Sequence, residues 1–320
     1  MSFKEVIGHT SAVQILQNAL KEKRLGLTYL FFGPGGLGKS FLAKQFAKSL
    51  NCLAQDTDCC DSCPSCLRSD KLSHPDLHWL DLEGSSNNIR IEQIRTMQES
   101  LALRPFEGKA KVFIINNCQN LSEEAANCLL KVTEEPPADS VIILISTDLR
   151  LVLPTIASRA QKIKFSSLKR SQIEEVLKRA AGLEPGQIPY LAYYLDGRIG
   201  DALTLGKNNF LLERDAILNN FLQNPGQEKF VDFFKDKAKA RQFLSILLSW
   251  YRDLLFVKVG AGRGRLIHQD KVALIAGAAQ KYSYLQLISL VNNLSKSLGL
   301  LEHNINIRLV ADTVWLNIQC

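Results

Sequence analysis

The chain has 320 residues, 46% of them hydrophobic and 22% charged, with a formal net charge of +7 at pH 7. At roughly 100–200 residues per domain this length gives two or three compact domains and excludes disorder as the main state, while the moderate positive charge is compatible with a nucleic-acid partner without establishing one. Apolar runs such as Val141-Ile-Ile-Leu-Ile145 fall far short of the ~20 residues that a membrane-spanning helix needs, and Met1-Ser-Phe-Lys-Glu5 has no signal-peptide core, so a cytoplasmic protein is expected.

In chain order, strand-like runs lie at Tyr29–Phe32, Leu77–Leu80, Lys111–Ile115, Val141–Ser146 and Gln161–Phe165, with helical or irregular segments between them. This alternation predicts a mainly parallel sheet covered by helices. Val112-Phe-Ile-Ile115 and Val141-Ile-Ile-Leu-Ile145 are apolar at every position, as strands buried on both faces should be, and are expected in the middle of the sheet. Beyond Phe165 the pattern turns helical. Ser167–Gly182 and Gln187–Leu195 read as helices, and another begins at Asp201-Ala-Leu203. Phe230–Phe234, Arg241–Val257, Lys271–Tyr282 and Tyr284–Leu300 repeat apolar residues every three or four positions, and Pro225-Gly226 and Gly260-Ala-Gly262-Arg-Gly264 read as loops between them.

The first strand runs into Gly33-Pro-Gly-Gly-Leu-Gly38-Lys39-Ser40, which fits G-x-x-x-x-G-K-[ST] and precedes the helical run Phe41–Leu50. Gly33, Gly35, Gly36 and Gly38 would let backbone N–H groups converge on phosphate oxygens at a helix N-terminus. Lys39 would meet the β/γ-phosphates and Ser40 would ligate Mg²⁺. Hydrolysis also needs a carboxylate at the end of a neighbouring strand, and the strand Lys111–Ile115 ends instead in Asn116-Asn117. An amide accepts hydrogen bonds but carries no charge for Mg²⁺ and is no base near neutral pH, so nucleotide binding without efficient turnover is expected. The alternative is that Asp76, Asp81 or Asp148 supplies the carboxylate from another strand.

Five of the eight cysteines crowd between Cys52 and Cys66. Cys60-x-x-Cys63-x-x-Cys66 together with Cys52 suits a closed, tetrahedral, structural Zn²⁺ site, with Cys59 the spare because adjacent residues of an extended chain point to opposite sides. Reduced free thiols are the plainer alternative, and no thioredoxin-like pattern supports a redox role. His74 could compete as a ligand, but His74 and Asp76 read as surface or capping residues at a strand entrance.

Together these residues resemble the AAA+ clamp-loader subunits of bacterial DNA polymerase III. The resemblance is carried by Val6-Ile-Gly8, Tyr29–Ser40, the cysteine module after the P-loop helix, His74-Pro-Asp76, Arg90-Ile-Glu-Gln-Ile-Arg95, Asn127-Cys-Leu-Leu-Lys-Val-Thr-Glu-Glu-Pro-Pro137 and Pro154-Thr-Ile-Ala-Ser-Arg159. Trp250-Tyr-Arg-Asp-Leu-Leu255 and Asn304-Ile-Asn-Ile-Arg-Leu309 add a looser likeness to the family's collar. It implies three parts: a P-loop AAA+ domain over 1–166 with a zinc module at 52–66, a helical lid over 167–207, and an all-α collar over 208–320.

Two departures separate this chain from the gamma/tau motor subunits of that family. Asn116-Asn117 replace acidic residues, and Gly197-Arg-Ile-Gly-Asp-Ala-Leu203 has Gly200 where the motor has an arginine, with Arg198 two positions too early. Ser158-Arg159 keeps the start of a Ser-Arg-Cys motif, although Ala160 replaces its cysteine. The resemblance is thus to the stator-like subunit type. It implies Arg159 as an arginine finger for a neighbouring ATPase, gamma/tau and delta subunits as partners, and assistance in ATP-dependent loading of the sliding clamp onto primed DNA. It further implies an accessory role in a DNA-directed DNA polymerase (nucleotidyltransferase) holoenzyme, without independent ATPase or polymerase activity and with ATP or ADP and Mg²⁺ at the P-loop. Lys111, Lys131 and Arg150 are expected on solvated faces. The competing functions are a gamma/tau-type motor ATPase and a zinc-stabilised nucleotide-binding module in another DNA transaction, such as repair.

Overall fold

The computed structural model describes residues 2–22, 27–82, 88–134, 136–179, 183–195, 210–222, 230, 232–302 and 307–319. The chain packs as two units, one built on the described residues up to Gln172 and the other on those from Ile173 onward. None of the described helices is long and apolar enough to cross a membrane.

Strands β1 (Leu27–Phe32), β2 (Leu77–Leu80), β3 (Lys111–Ile115), β4 (Ser140–Ser146) and β5 (Gln161–Lys164) form the sheet of the first unit in the order β2-β3-β4-β1-β5. All four pairings are parallel. The wholly apolar runs become β3 and the central β4, each buried along its entire length. Helix α1 (Thr10–Lys21) precedes β1, and α2 (Lys39–Leu50), α3 (Pro64–Asp70), α4 (Ile91–Leu101), α5 (Glu123–Glu134) and α6 (Pro154–Arg159) connect the strands.

Side chains alternate across a strand, so the sheet has two cores. Tyr29, Phe31, Val112, Ile114, Val141 and Ile143 face Leu16 of α1 and Leu42 and Phe46 of α2. Leu30, Phe113, Ile115, Ile142 and Leu144 face Ile94 and Met97 of α4, Leu129 of α5 and Ile156 of α6. Helix α1 has no counterpart among the expected elements, although its buried Ala12, Leu16, Ala19 and Leu20 form one apolar stripe. Helix α2 begins at Lys39, directly on the glycine loop, rather than at Phe41.

Helix α7 (Arg170–Arg179) starts three residues after the expected Ser167, because the Gln172 side chain accepts the N–H of Lys169 at 3.0 Å and fixes the entry turn there. The second unit then comprises α8 (Ile188–Leu195), α9 (Phe210–Leu222), α10 (Lys237–Lys258), α11 (Val272–Ala279), α12 (Tyr284–Glu302) and α13 (Ile307–Gln319). Helix α10 begins before Arg241 because Asp236 accepts the N–H of Lys239 at 2.8 Å. Phe243 of α10 stacks on Phe233 at 4.4 Å and meets Phe230 edge-on at 5.5 Å. The expected loop at Gly260 follows α10 with Gly260 at φ +73°. The helix start at Asp201, the loop Pro225-Gly226, Gly182, and the Gly197–Leu203 motif with Arg198 and Gly200 lie outside the described residues.

One polar knot inside the second unit escapes sequence patterning. Arg214 of α9 is buried, bonded to Asp215 at 2.8 Å and to both oxygens of Asp270 at 3.1 and 2.5 Å, with its guanidinium 4.7 Å above the Tyr190 ring. Tyr190 also packs against His268, which burial pushes down to about 3, leaving a neutral imidazole beside the guanidinium. Breaking a buried pair by removing one partner leaves an uncompensated charge. Asp270→Ala is therefore expected to cost about 3 kcal/mol of stability, read as a lower urea midpoint in unfolding followed by tryptophan fluorescence. A midpoint unchanged from the native chain would contradict this reading of the knot.

Candidate nucleotide and metal sites

The phosphate loop leaves β1 through Gly33, whose φ of +143° and position against the Phe165 carbonyl leave no room for a Cβ. It closes on Gly38 at φ +82°, the N-cap of α2, and that helix start has no side-chain cap. Its first-turn N–H groups therefore lack the partner a Ser or Asp would give them. A Cβ at Gly35 or Gly38 would meet nothing within 4 Å, so the loop's outer side is open. His9 bonds to the Leu37 carbonyl from beneath at 3.0 Å, and burial holds its imidazole below the ordinary histidine value.

Lys39 folds back over this loop. Its Nζ donates to the carbonyls of Gly33 at 2.5 Å and Pro34 at 2.6 Å, and burial lowers its pKa to about 8. Among the described residues this buried ammonium meets carbonyl dipoles and no counter-ion, which is the electrostatic condition for accepting a phosphate. The loop thus fits a nucleotide: open glycines, uncapped helix donors and one buried cation.

Ser40 Oγ donates to Asn116 Oδ1 at 3.2 Å, and Asn116 Nδ2 in turn donates to Asp81 Oδ2 at 2.7 Å. Asn117 Nδ2 reaches Asp81 Oδ1 at 3.1 Å. Burial alone would raise the Asp81 pKa, but the donors Asn116, Leu82 N–H, Asn117 and Trp79 outweigh it and hold the carboxyl below the ordinary range. Of the three alternative carboxylates, Asp81 is linked to the loop and the other two are engaged elsewhere. Asp76 accepts the N–H groups of Phe106, Glu107 and Gly108 at 2.6–2.9 Å. Asp148 pairs with Arg150 and accepts its N–H.

The sulfurs of Cys52, Cys60, Cys63 and Cys66 lie within 4.8 Å of one another and could hold a metal ion. Cys60 and Cys66 are 3.9 Å apart, against about 3.8 Å for the edge of a tetrahedron with 2.3 Å metal–sulfur bonds. The turn that gathers them donates N–H groups to sulfur, from Cys63 to Cys60 at 3.3 Å and from Cys66 to Cys63 at 3.5 Å. Such donors favour thiolates, and the N–H groups of Ser62 and Cys63 bring Cys60 down to about 6. Cys59 packs against this cluster without joining the four-sulfur set. Its thiol faces Asp61 at 3.4 Å and Gln45 at 3.9 Å, and burial together with the Asp61 charge pushes it up to about 12, so it stays protonated.

Of the two alternatives for His74 and Asp76, surface or capping, the capping one holds, since both are buried, while Lys111 needs correction. His74 Nδ1 accepts the Asp76 N–H at 3.1 Å and Asp76 pins the Phe106–Gly108 turn, so both serve local structure. Lys111 is also buried, its ammonium bonded to the Ser100 carbonyl at the end of α4 at 2.8 Å, whereas Lys131 and Arg150 are exposed. Arg159, in the last turn of α6, is 38% exposed; its guanidinium donates to Glu134 and to the Thr155 carbonyl, both at 2.9 Å. That is the salt-bridged surface arrangement in this chain alone.

Fold and loop define the class: a P-loop α/β module with a four-cysteine turn, followed by helices. A family model described as "DNA polymerase III, delta subunit" matches residues 8–169, and one described as "DNA polymerase III, delta subunit, C terminal" matches residues 208–318. DNA polymerase III subunit delta' of Bacillus subtilis is 30% identical over 96% of this chain and 95% of its own length. DNA polymerase III subunit tau of the same organism is 34% identical over 63% of this chain and 37% of its own length. Among solved structures, a DNA polymerase III gamma subunit-related protein from Thermotoga maritima is 18% identical over 96% of this chain and 98% of its own, with a TM-score of 0.48. The chain belongs to the clamp-loader family of DNA polymerase III, and the resemblance drawn from its motifs is borne out. The likeness to the delta' subunit runs nearly the full length of both chains, whereas that to the Bacillus subtilis tau subunit covers 63% of this chain.

Four cysteines gathered around one point predict a stoichiometric ion. Elemental analysis of the purified chain is expected to find one divalent metal per molecule, and Cys63→Ser to lose it together with a large part of the thermal stability. Finding no metal in the native chain would remove the site.

Proposed function

We propose that this chain is the fixed, stator-like member of a clamp loader, binding nucleotide with little or no turnover and supplying Arg159 to the ATPase site of a neighbouring subunit. The observation that carries the first half is the end of β3: the group bonded to Ser40 is the Asn116 amide, and Asp81, the carboxylate tied to it, lies behind Asn116. Gly33, Gly35, Gly36, Gly38 and Lys39 would hold the phosphates of ATP or ADP, and Ser40 would hold Mg²⁺, which supplies charge neutralisation when bound. Cys52, Cys60, Cys63 and Cys66 would hold Zn²⁺ in a closed structural site.

For Arg159, support comes from its place at the exposed end of α6 and from the weakness of its tether. A surface pair such as Arg159–Glu134 is worth about 0–1 kcal/mol, whereas an arginine finger contributes roughly 10³–10⁵ in rate. In this reading the partners are gamma/tau and delta subunits, the task is loading the sliding clamp onto primed DNA in the cytoplasm, and the lid (167–207) and collar (208–320) are distinct parts. The chain acts as an accessory to polymerisation, not as an enzyme by itself.

The isolated chain is expected to bind ADP yet hydrolyse ATP slowly; brisk hydrolysis would instead make it a motor. In the reconstituted complex, Arg159→Ala is expected to lower DNA-stimulated ATP turnover, and an unchanged rate would remove the finger.

The pKa of Lys39 gives a separate signature. Bound phosphate would raise a value that burial sets at about 8 in the free chain, so above that pH binding must take up a proton that the free chain has lost. ADP affinity measured by titration calorimetry is expected to be flat from neutral pH to about 8 and then to fall by up to about tenfold per pH unit. A flat profile to pH 10 would place the phosphates away from Lys39.

A further inference from the structure

We infer that Asp81 is a positioning residue for the metal side of the nucleotide site: it fixes Asn116 so that the amide oxygen, and not the nitrogen, faces Ser40. The inference rests on the nucleotide-binding reading above and names a residue which that reading does not use.

An ionised carboxylate can only accept hydrogen bonds, whereas a carboxamide has one accepting and one donating end. Asp81 Oδ2 lies 2.7 Å from Asn116 Nδ2, so the amide must turn its nitrogen towards Asp81. Its oxygen is then committed to Ser40, whose hydroxyl donates to it at 3.2 Å. A flipped amide would set Oδ1 against the carboxylate and point an NH₂ group at the place where a cation is expected.

Asp81 is itself held at five points. Its Oδ1 accepts from Leu82 N–H at 2.9 Å and from Asn117 Nδ2 at 3.1 Å, its Oδ2 accepts from Asn116, the Trp79 side chain also donates to its carboxylate, and its backbone carbonyl accepts from Gln93 Nε2 at 3.2 Å. Gln93 is fixed in turn, because its Oε1 accepts the Arg90 N–H at 3.0 Å at the start of α4. The Asp81 carboxylate therefore has no freedom to approach the loop as a metal ligand.

The negative charge absent from Asn116-Asn117 is thus retained one strand further out, on the residue that follows β2. It reaches the loop only through an oriented dipole. An amide oxygen aimed at Ser40 can accept a hydrogen bond from metal-bound water, which suits Mg²⁺, an ion that keeps several of its waters. Among the described residues the same arrangement puts an amide, and not a carboxylate, against Ser40. Metal-assisted nucleotide binding without turnover is what this geometry delivers.

The test compares affinity for a fluorescent ADP with Mg²⁺ and with EDTA, in the full chain. Mg²⁺ is expected to tighten binding to the native chain by about tenfold, and the nearly isosteric Asp81→Asn to reduce that gain to about twofold or less while leaving the EDTA affinity in place. Asn116→Ala, which keeps Asp81 but removes the amide, should lose the gain equally, and it serves if Asp81→Asn fails to fold. The exchanged pair Asp81→Asn with Asn116→Asp moves the carboxylate next to Ser40 and is expected to restore the gain. A full Mg²⁺ gain in Asp81→Asn, or a native chain that binds ADP equally in EDTA, would overturn the role of Asp81 while sparing the P-loop. Absence of ADP binding under both conditions would overturn the nucleotide reading, and this inference with it.

Discussion

Lys48 is a cation without water, and the chemistry of the first unit depends on the helix that carries it. Its ammonium is fully buried between Asp61 at 2.5 Å and Asp70 at 2.6 Å. Burial alone would lower its pKa, but the two carboxylates more than reverse that, and the Lys48 ammonium in turn holds Asp61 down at about 2. Asp61 belongs to the cysteine turn and Asp70 closes α3, while Lys48 sits near the end of α2, whose first residue is Lys39 of the phosphate loop. One helix therefore has a phosphate site at one end and the four-cysteine turn clamped to the other. Asn51 continues the clamp, exchanging two hydrogen bonds of 2.9 Å with the backbone of Ala110 just before β3. Buried charges are costly unless they are paired, and here the pairing fixes where a cysteine-rich insertion can sit.

Within that frame the phosphate loop is complete in its donors and deficient in its acids. A parallel sheet brings the C-terminal ends of β1, β2 and β3 to one edge, which is why a side chain after β2 and another after β3 can converge on the loop after β1. Ordinarily that convergence would deliver a carboxylate to the metal. In this chain it delivers an amide backed by a carboxylate, and Asn117 helps to hold the arrangement from a left-handed conformation at φ +54°, which asparagine tolerates better than most residues.

The sequence was readable wherever function lies in spacing along the chain. The P-loop occupies eight consecutive residues and the thiols of Cys60, Cys63 and Cys66 follow a three-residue step, so both could be assigned from local pattern. The inner strands were equally plain because burial on both faces demands apolar residues at every position. Asp81 was one of three carboxylates with equal standing, since nothing local says that the register Leu80↔Ile115 will bring it to Asn116. Arg214 was illegible for a related reason: on an amphipathic helix an arginine reads as solvent-facing until Asp270, far along the chain, is seen to enclose it. Lys111 misled in the same way, its ammonium capping a carbonyl of α4 rather than meeting water.

On the proposed reading, a subunit that bound nucleotide without consuming it would direct its activity outward. Arg159 satisfies the geometric requirement in part: it stands at the end of a short helix, more than a third exposed, and its carboxylate partner Glu134 is itself exposed at 53%. Solvent screens such a pair, so a phosphate in a desolvated neighbouring site would compete for the guanidinium against little resistance. Asp81 is the opposite case. Its hydrogen bonds are several and mutually supporting, and the half-buried groups around it cannot be re-paired without leaving a donor or an acceptor stranded. On the proposed reading, the firmly bonded carboxylate lies at the chain's own loop and the loosely tied arginine at the surface, where a neighbouring subunit could take it over, so that the difference from a motor would be written into side-chain partners rather than into the fold.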